Sequence, residues 1–254
     1  MITVRQFPAR EDNYGLLVHD DETGATAAID APEEEAIADA LEETGWRLTD
    51  VFVTHHHGDH VAAVTALKAR HGARVVANAA DAHRIPAVDL AMAPGAPLFL
   101  GRTPVEMIDT PGHTRGHVAY HLPRDGHVFV GDTLFSLGCG RLFEGTPEEM
   151  WASLCRLAAL PGDTRVWCGH EYTLANGRFA LGVDPDNPVL KARVAEVRSL
   201  TDEGLPTLPT TIAAERAANP FLRAGEPALQ AAVGLSGFDP VQVFATLREL
   251  KNRS

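Results

Sequence analysis

Residues 54–60 form a dense run of side chains that can bind metal, with the sequence Thr-His-His-His-Gly-Asp-His. Imidazole and carboxylate groups are the usual protein ligands of zinc and similar divalent ions. A lone histidine before a helix is more often structural, but four such groups within six residues favour a metal site. The apolar, β-branched segment 51–54 leads into the histidines and predicts a buried strand that ends at the site.

The spacing within the run indicates two metal positions. Alternate side chains of an extended chain lie on the same side, so His55 and His57 can converge on one ion. Gly58 permits a sharp turn, after which Asp59 and His60 can face a second ion. His56, which lies between two ligands, is expected to point the other way.

Four ligands cannot complete two coordination spheres, so the remaining ones must come from elsewhere in the chain. Three further apolar runs each lead to a glycine and then a ligand-type residue, namely His113, Asp132 and His170. We assign His55, His57 and His113 to the first ion and Asp59, His60 and His170 to the second. Asp132 is expected to bridge the two ions, because a carboxylate can span roughly 3.5–4 Å with its two oxygens.

The elements that must position these groups change in character along the chain. Up to about residue 172, short β-rich runs alternate with turns, and helices are predicted after Pro32, after His60 and at the capping box that opens at Thr146. Beyond that point helices are predicted near 188–204, 210–218, 226–233 and from 240 onward. We therefore predict an α/β or α+β sandwich over residues 1–173 and a helical domain over 174–254.

Composition narrows the class of partner. The 254 residues carry a net charge of −12, which disfavours nucleic acids and anionic membranes. No apolar run is long enough for a membrane helix, and the first residues lack a signal pattern. Three unpaired cysteines are typical of free thiols in a reducing cytoplasm. An anionic small molecule would require a local basic patch.

The motifs together resemble the metallo-β-lactamase superfamily. The resemblance rests on residues 54–60, on Pro-Gly-His-Thr-Arg-Gly-His at 111–117, on Gly-Asp-Thr-Leu-Phe at 131–135 and on Cys-Gly-His-Glu-Tyr-Thr at 168–173. Four segments are similar more narrowly to the glyoxalase II, or hydroxyacylglutathione hydrolase, family. They are 137–146, 171–173, 218–223 and the Arg-x-x-Lys pattern at 248–251.

This resemblance implies a four-layer αββα sandwich with a C-terminal helical substrate-binding domain. It also implies the glutathione contacts Arg141, Phe143, Tyr172, Arg248 and Lys251. The arginine at 141 stands where the family often has lysine, which keeps the charge. The phenylalanine at 143 stands where the family often has tyrosine, so a side-chain hydrogen bond is lost there and a backbone contact could remain.

The implied reaction is hydrolysis of S-2-hydroxyacylglutathione thioesters, typified by S-D-lactoylglutathione, to glutathione and D-lactate in methylglyoxal detoxification. Two divalent ions, expected to be zinc with iron and manganese as alternatives, would lower the pKa of a bound water toward ~7 and provide the nucleophilic hydroxide. Asp59 and Asp132 are the implied catalytic carboxylates. A cytoplasmic monomer is expected, and Cys139 and Cys168 are interpreted as packing residues.

Four alternatives remain at this point. A glutathione persulfide dioxygenase of the same fold would use one iron. A lactonase or lactamase would need a different pocket, and a nuclease would need a broad basic surface. A binding module that merely retains metal is the non-enzyme alternative.

Overall fold

The strands and helices of residues 1–254, all of which the computed structural model describes, group into two compact units. Unit 1 comprises residues 1–109 and 115–131, and unit 2 comprises residues 110–114 and 132–254. The predicted domain boundary at residue 173 divides the sequence at one point, whereas these units are grouped by contacts within the structure. That boundary stays a prediction. No helix is both long and apolar enough to cross a membrane.

Unit 1 contains ten strands and three α-helices, with a short 3₁₀ helix at Ala82–Arg84. The strands are β1 (Ile2–Ala9), β2 (Asn13–Asp20), β3 (Ala25–Ile29), β4 (Asp50–Phe52), β5 (Arg74–Asn78), β6 (Leu90–Met92), β7 (Leu98–Leu100), β8 (Thr103–Asp109), β9 (Val118–Leu122) and β10 (His127–Phe129). The helices are α1 (Glu34–Thr44), α2 (Gly58–Val61) and α3 (Val64–His71).

The first sheet of unit 1 has the strand order β1-β2-β3-β4-β5-β6. The first three strands are antiparallel, and β3 to β6 run parallel. Every residue of β4 is buried, which fits a parallel strand covered on both faces. On one face, Val51 and Val75 pack in a core with Ile37 of α1 and Leu67 of α3. This core fixes the strand end that leads into residues 54–60.

The other face of that sheet packs against a second set of strands, ordered β10-β9-β8-β7 within unit 1 and antiparallel. Tyr120 of β9 is fully buried there, with its ring 5.2 Å from that of Phe52. Its hydroxyl donates a 2.8 Å hydrogen bond to the carbonyl oxygen of Val53. A buried tyrosine needs such a partner, and this one ties the two sheets together beside the histidine run.

Unit 2 contains four short strands and six helices. The strands are β11 (Leu134–Phe135), β12 (Gly138–Cys139), β13 (Arg165–Trp167) and β14 (Thr210–Thr211). The helices are α4 (Pro147–Ala158), α5 (Thr173–Val183), α6 (Pro188–Asp202), α7 (Ile212–Ala218), α8 (Pro227–Ala232) and α9 (Pro240–Asn252). Strand β11 pairs with β12 and β13 pairs with β14, both antiparallel. An aromatic cluster links α4 to α9, since the rings of Trp151 and Phe244 lie 6.0 Å apart.

Local signals in the sequence located several helix ends correctly. Helix α1 ends at Gly45, whose φ of 70° is the left-handed conformation of a C-cap glycine. Both hydrogen bonds of the predicted capping box at Thr146 are present. Two predictions were wrong in detail. The single helix predicted after His60 is divided into α2, which begins at Gly58, and α3, and Thr210–Thr211 is a strand rather than a helix.

Candidate active site

The four ligand-type residues of unit 1 lie together just beyond β4. The Nε2 atom of His55 is 3.1 Å from Nδ1 of His57, and the rings of His55 and His60 are 4.1 Å apart. The Nε2 atom of His60 is 3.4 Å from Oδ2 of Asp59. His55 and His60 are buried, and the side chain of Asp59 is one-third exposed. Nitrogen and oxygen donors thus converge where little solvent reaches them. This set of donors is typical of a divalent metal site.

A buried carboxylate that the sequence did not single out orients this cluster. Oδ1 of Asp30 accepts a 2.7 Å hydrogen bond from the Thr54 amide, and Oδ2 accepts one of 2.8 Å from the Thr54 hydroxyl. The same Oδ2 lies 2.8 Å from Nδ1 of His60. An imidazole whose Nδ1–H is held by a carboxylate directs Nε2 outward as a ligand. The signal was available, because Asp30 follows an apolar strand as Asp132 does.

His56 has different partners from its neighbours. Its Nδ1 lies 2.8 Å from Oδ2 of Asp81, and its Nε2 contacts Arg84. His117 instead stacks on His55 with ring centroids 4.8 Å apart. A side chain at Gly131, whose φ is +47°, would meet both His117 and Thr54 below 3.0 Å. Glycine is therefore required just before Asp132.

The three ligand-type residues of unit 2 also converge. Oδ2 of Asp132 lies 3.6 Å from Nε2 of His113 and 3.4 Å from Nε2 of His170. All three side chains are buried. The Nδ1 atom of His113 is 2.9 Å from the carbonyl oxygen of Arg141, so its Nε2 is the atom free to face the cluster. These donors, with the Arg141 carbonyl oxygen holding the far nitrogen of His113, again fit a divalent ion.

A pocket of about 470 Å³ in unit 2 opens beside these ligands. His113 and Asp132 line it, and so do all five residues predicted to contact substrate, which are Arg141, Phe143, Tyr172, Arg248 and Lys251. The sequence did not predict Asn176, which lines the same pocket from α5. No residue pattern distinguishes it from an ordinary helical asparagine.

Three cations give this pocket a positive charge. Burial lowers the pKa of Lys251, and the charges of Arg248 and Arg141 lower it further. The ammonium of Lys251 donates to the carbonyl oxygen of Ala175 at 3.3 Å. Positive charges close enough to Lys251 to lower the pKa of its ammonium form a site for an anion, and arginine is suited to bidentate carboxylate binding.

Arg248 is the most buried of the three, at 5% exposure. Its Nη1 donates a 2.7 Å hydrogen bond to the carbonyl oxygen of Cys139, and its Nε donates to Oδ1 of Asn252 at 3.2 Å. The guanidinium also lies 5.2 Å from the ring centre of Phe221. Arg248 therefore also joins α9 to the segment that follows Asp132.

The two aromatic candidates lie beside metal-ligand candidates. The ring of Tyr172 is parallel to that of His170 at 4.8 Å. The Phe143 side chain is 62% exposed and its ring meets that of His113 edge to face at 5.2 Å. The Phe143 amide donates to the carbonyl oxygen of His113 at 3.2 Å. The backbone at residue 143 is thus already held by the protein.

The cysteines near the pocket are poor nucleophiles. Burial raises the pKa of the Cys139 thiol to about 11, and burial also raises that of Cys168. A nucleophilic cysteine must be a thiolate near neutral pH. These thiols are protonated there, as expected of packing residues.

The fold and the donor clusters together define a class of protein. Residues 22–170 match the metallo-beta-lactamase superfamily. The structure of ETHE1 from Myxococcus xanthus is 26% identical, covers 97% of this chain and 96% of its own, and superposes with a TM-score of 0.67. The structure titled TTHA1623 in a di-iron-bound form is 26% identical and covers 87% of this chain and 100% of its own, with a TM-score of 0.62. The predicted metallo-β-lactamase fold with a C-terminal helical region is confirmed.

The remaining comparisons narrow the class. Residues 171–254 match the description "Hydroxyacylglutathione hydrolase C-terminus". A relative from Rhodopseudomonas palustris (strain BisA53), named hydroxyacylglutathione hydrolase, is 55% identical over 251 residues, covering 99% of this chain and 98% of its own. A relative with the same name from Maricaulis maris (strain MCS10) is 52% identical over 251 residues, with the same coverage. The chain belongs to the hydroxyacylglutathione hydrolase family, a family of metal-dependent hydrolases, and its His and Asp clusters suit divalent metal ions.

Proposed function

We propose that the chain hydrolyses S-2-hydroxyacylglutathione thioesters, typified by S-D-lactoylglutathione, to glutathione and a 2-hydroxy acid such as D-lactate. The observation that carries the proposal is the pocket in which His113 and Asp132 lie together with Arg141, Arg248 and Lys251. The pocket combines ligands for a metal ion that can promote hydrolysis with positive charges that can bind an anionic substrate. The activity named for the full-length relatives supports the same reaction.

The proposed metal site has seven candidate ligands. His55, His57 and His113 would hold the first ion, Asp59, His60 and His170 would hold the second, and Asp132 would be shared between them. Zinc is the proposed metal, and iron or manganese would accept the same donors. When bound, two such ions make hydroxide available near neutral pH and withdraw charge from a carbonyl oxygen.

The protein's own groups then hold the ligands in position. Asn13 donates from Nδ2 to Oδ2 of Asp59 at 3.1 Å, which fixes a carboxylate that would otherwise rotate into solvent. His113 and His170 are buried, which limits the access of water to their imidazoles. A thiolate leaves readily, so the reaction needs little acid assistance and no protein nucleophile.

The proposed substrate contacts follow from charge. A glutathione thioester has two carboxylates, whereas the chain has a net charge of −12, so binding requires a local concentration of cations. Arg141, Arg248 and Lys251 provide it in one pocket. Tyr172 and Phe143 are proposed to contact the peptide part of the substrate. We further propose that the protein acts as a cytoplasmic monomer.

The proposed function is tested with a substrate panel. Metal-loaded protein is incubated with S-D-lactoylglutathione, a lactone and glutathione persulfide, and the loss of each compound is measured. We expect the thioester to be consumed fastest and D-lactate to appear in equal amount to glutathione. Turnover of the lactone or the persulfide without turnover of the thioester would refute the proposal.

Replacing Arg248 by alanine is expected to raise KM about tenfold or more, because a charge-assisted contact with a carboxylate is lost. Part of the effect comes from the Cys139 carbonyl oxygen, which loses its donor. Arg248→Lys keeps the charge but not the forked pair of donors, so its KM is expected to lie between those of the parent protein and of Arg248→Ala. Steady-state kinetics on S-D-lactoylglutathione measure both. A loss of kcat with unchanged KM would contradict the binding role.

Replacing Phe143 by tyrosine restores the hydroxyl common at this position in the family. The side chain is exposed and its backbone amide is already bonded to His113, so the ring can gain a hydroxyl without repacking. We expect KM to change by no more than about threefold, the effect of one solvent-exposed hydrogen bond. A large fall in KM would show that the missing hydroxyl limits substrate binding in this protein.

A further inference from the structure

A short hairpin carries the chain from Asp132 to Arg141. Strands β11 and β12 form it, and Leu137 lies at its tip with φ of +58°, a conformation that a residue other than glycine adopts only when it is held there. The Leu137 side chain is fully buried in a core with Ala180, Leu190 and Val194. Packing thus anchors the tip, but the backbone polar groups of so tight a turn still need partners.

Three buried side chains provide those partners, and we call them the hairpin socket: Asn176, Glu215 and Asn219. Asn176 donates to the carbonyl oxygen of Ser136 at 3.2 Å. The Nδ2 atom of Asn219 lies 3.2 Å from the carbonyl oxygen of Phe135 and 2.9 Å from that of Gly138. Side chains, rather than neighbouring strands, therefore satisfy much of the backbone of the hairpin.

Glu215 is the centre of the socket. Its Oε2 accepts hydrogen bonds from the Leu137 amide at 2.8 Å and from Nδ2 of Asn219 at 2.9 Å, and its Oε1 accepts one from the Thr210 hydroxyl at 2.8 Å. The residue is 1% exposed. The pKa of its carboxyl is raised by burial, an effect that these hydrogen bonds offset only in part. A carboxylate placed in so dry a position costs stability unless its acceptors are used.

The other side of the hairpin contacts the pocket and the metal-ligand candidates. The carbonyl oxygen of Arg141 holds Nδ1 of His113, and the carbonyl oxygen of Cys139 holds Arg248. The Phe135 ring lies edge to face with Tyr172 at 5.3 Å and with His170 at 6.1 Å. A shift of the hairpin would therefore move the substrate-binding candidates and the metal-ligand candidates at once.

We propose that Glu215 is a positioning residue for the reaction, acting through the hairpin that it holds at Leu137. This inference rests on the proposed function. Glu215 does not line the pocket, and it acts by keeping the carbonyl oxygens of Arg141 and Cys139 where they orient His113 and Arg248. What the hairpin requires from Glu215 is reach and acceptor oxygens, and the negative charge is secondary.

Two substitutions separate the effect of the length of the Glu215 side chain from the effect of its negative charge. In Glu215→Gln, the amide oxygen can still accept from Leu137 and Asn219, and the amide nitrogen can donate to the Thr210 hydroxyl, which accepts as well as donates. In Glu215→Asp, the charge remains, but the side chain is one methylene shorter and leaves the buried Leu137 amide without its acceptor. Asp184→Asn is the matched control, because Asp184 is also buried in unit 2 and pairs with Arg223 and Asn187.

Two readouts are taken well below the unfolding temperature of each variant. We expect Glu215→Asp to lower kcat/KM for S-D-lactoylglutathione by about tenfold, and Glu215→Gln and the control to stay within about threefold of the parent protein. Amide hydrogen exchange in the segment 132–141, followed by mass spectrometry, is expected to be faster in Glu215→Asp alone. Should that variant fail to fold, Asn219→Ala, which removes the donor to the carbonyls of Phe135 and Gly138, is measured the same way and is expected to behave as Glu215→Asp would.

Two results would overturn the proposal. One is exchange and kinetics in Glu215→Asp, or in its substitute, that match those of the control, which would make Glu215 merely structural. The other is a Glu215→Gln variant as impaired as Glu215→Asp, which would make the charge essential. If the parent protein does not hydrolyse the thioester, the proposed function fails by itself, and the exchange comparison still decides whether Glu215 holds the hairpin.

Discussion

Replacing Asp132 by asparagine is expected to abolish most of the activity while leaving the protein folded. The proposed bridge between the two ions would lose its charge and one of its two oxygen donors. Changes in groups that merely support metal ligands cost about 10–100-fold, so we expect the loss of a bridging ligand to lower kcat/KM by at least about 100-fold. Elemental analysis of the purified variant should show less than two metal ions per chain.

The matched control for this change is again Asp184→Asn. It alters a buried aspartate of the same unit whose partners are Arg223 and Asn187. We expect that control to lose some thermal stability and to keep its metal content. An Asp132→Asn protein with an unchanged metal-to-protein ratio and near-normal turnover would refute the bridging assignment.

Replacing Asp30 by asparagine is expected to weaken metal binding by about 10–100-fold, the usual effect of removing the carboxylate behind a ligating histidine. Oδ2 of Asp30 faces both the Thr54 hydroxyl and Nδ1 of His60, while Oδ1 accepts from the Thr54 amide. An amide group cannot serve all three as acceptor. If its nitrogen faces His60, the imidazole is driven to the tautomer whose proton is on Nε2, the atom proposed to bind metal.

Competition with a metallochromic chelator measures that affinity directly. Asp20→Asn serves as the control, since Asp20 is equally buried in unit 1 but accepts from Thr23 and from the amides of Glu22 and Arg102. The control should bind metal as tightly as the parent protein. Equal affinities in all three proteins would mean that His60 does not depend on Asp30.

The histidine run and its strand could be predicted because both signals are local. An apolar segment that ends in closely spaced ligands needs no knowledge of the rest of the fold, and the same holds for the glycine and capping residues that end α1 and begin α4. Asp30 also follows an apolar strand, but that local signal alone does not reveal what the carboxylate does. Its role depends on β3 and β4 being parallel neighbours, with Ile29 opposite Phe52, so that the ends of both strands meet at one sheet edge.

The pocket was predicted only through the family resemblance. Arg248 and Lys251 each have polar surface residues within four positions of them along the helix. Such a pattern alone does not distinguish a helix face that binds a ligand from one that faces solvent. The role of the hairpin socket was not predicted, although Asn219 lies within the family-like segment 218–223. Asn176, Glu215 and Asn219 satisfy the backbone of a turn that is distant in sequence, and no local pattern indicates such long-range hydrogen bonds. The two-residue strand β14 was missed for a similar reason, because its pairing with β13, rather than its own propensity, makes it a strand.

The most direct test of the central claim is the rate of S-D-lactoylglutathione hydrolysis before and after metal removal. Loss of thioester absorbance is followed with metal-loaded protein, with the same protein after chelation, and after divalent metal is restored. We predict saturable turnover with release of D-lactate, its loss on chelation and its return with metal. Metal-loaded, folded protein that leaves the thioester intact, or turnover that is indifferent to chelation in protein shown to be metal-free, would contradict the account.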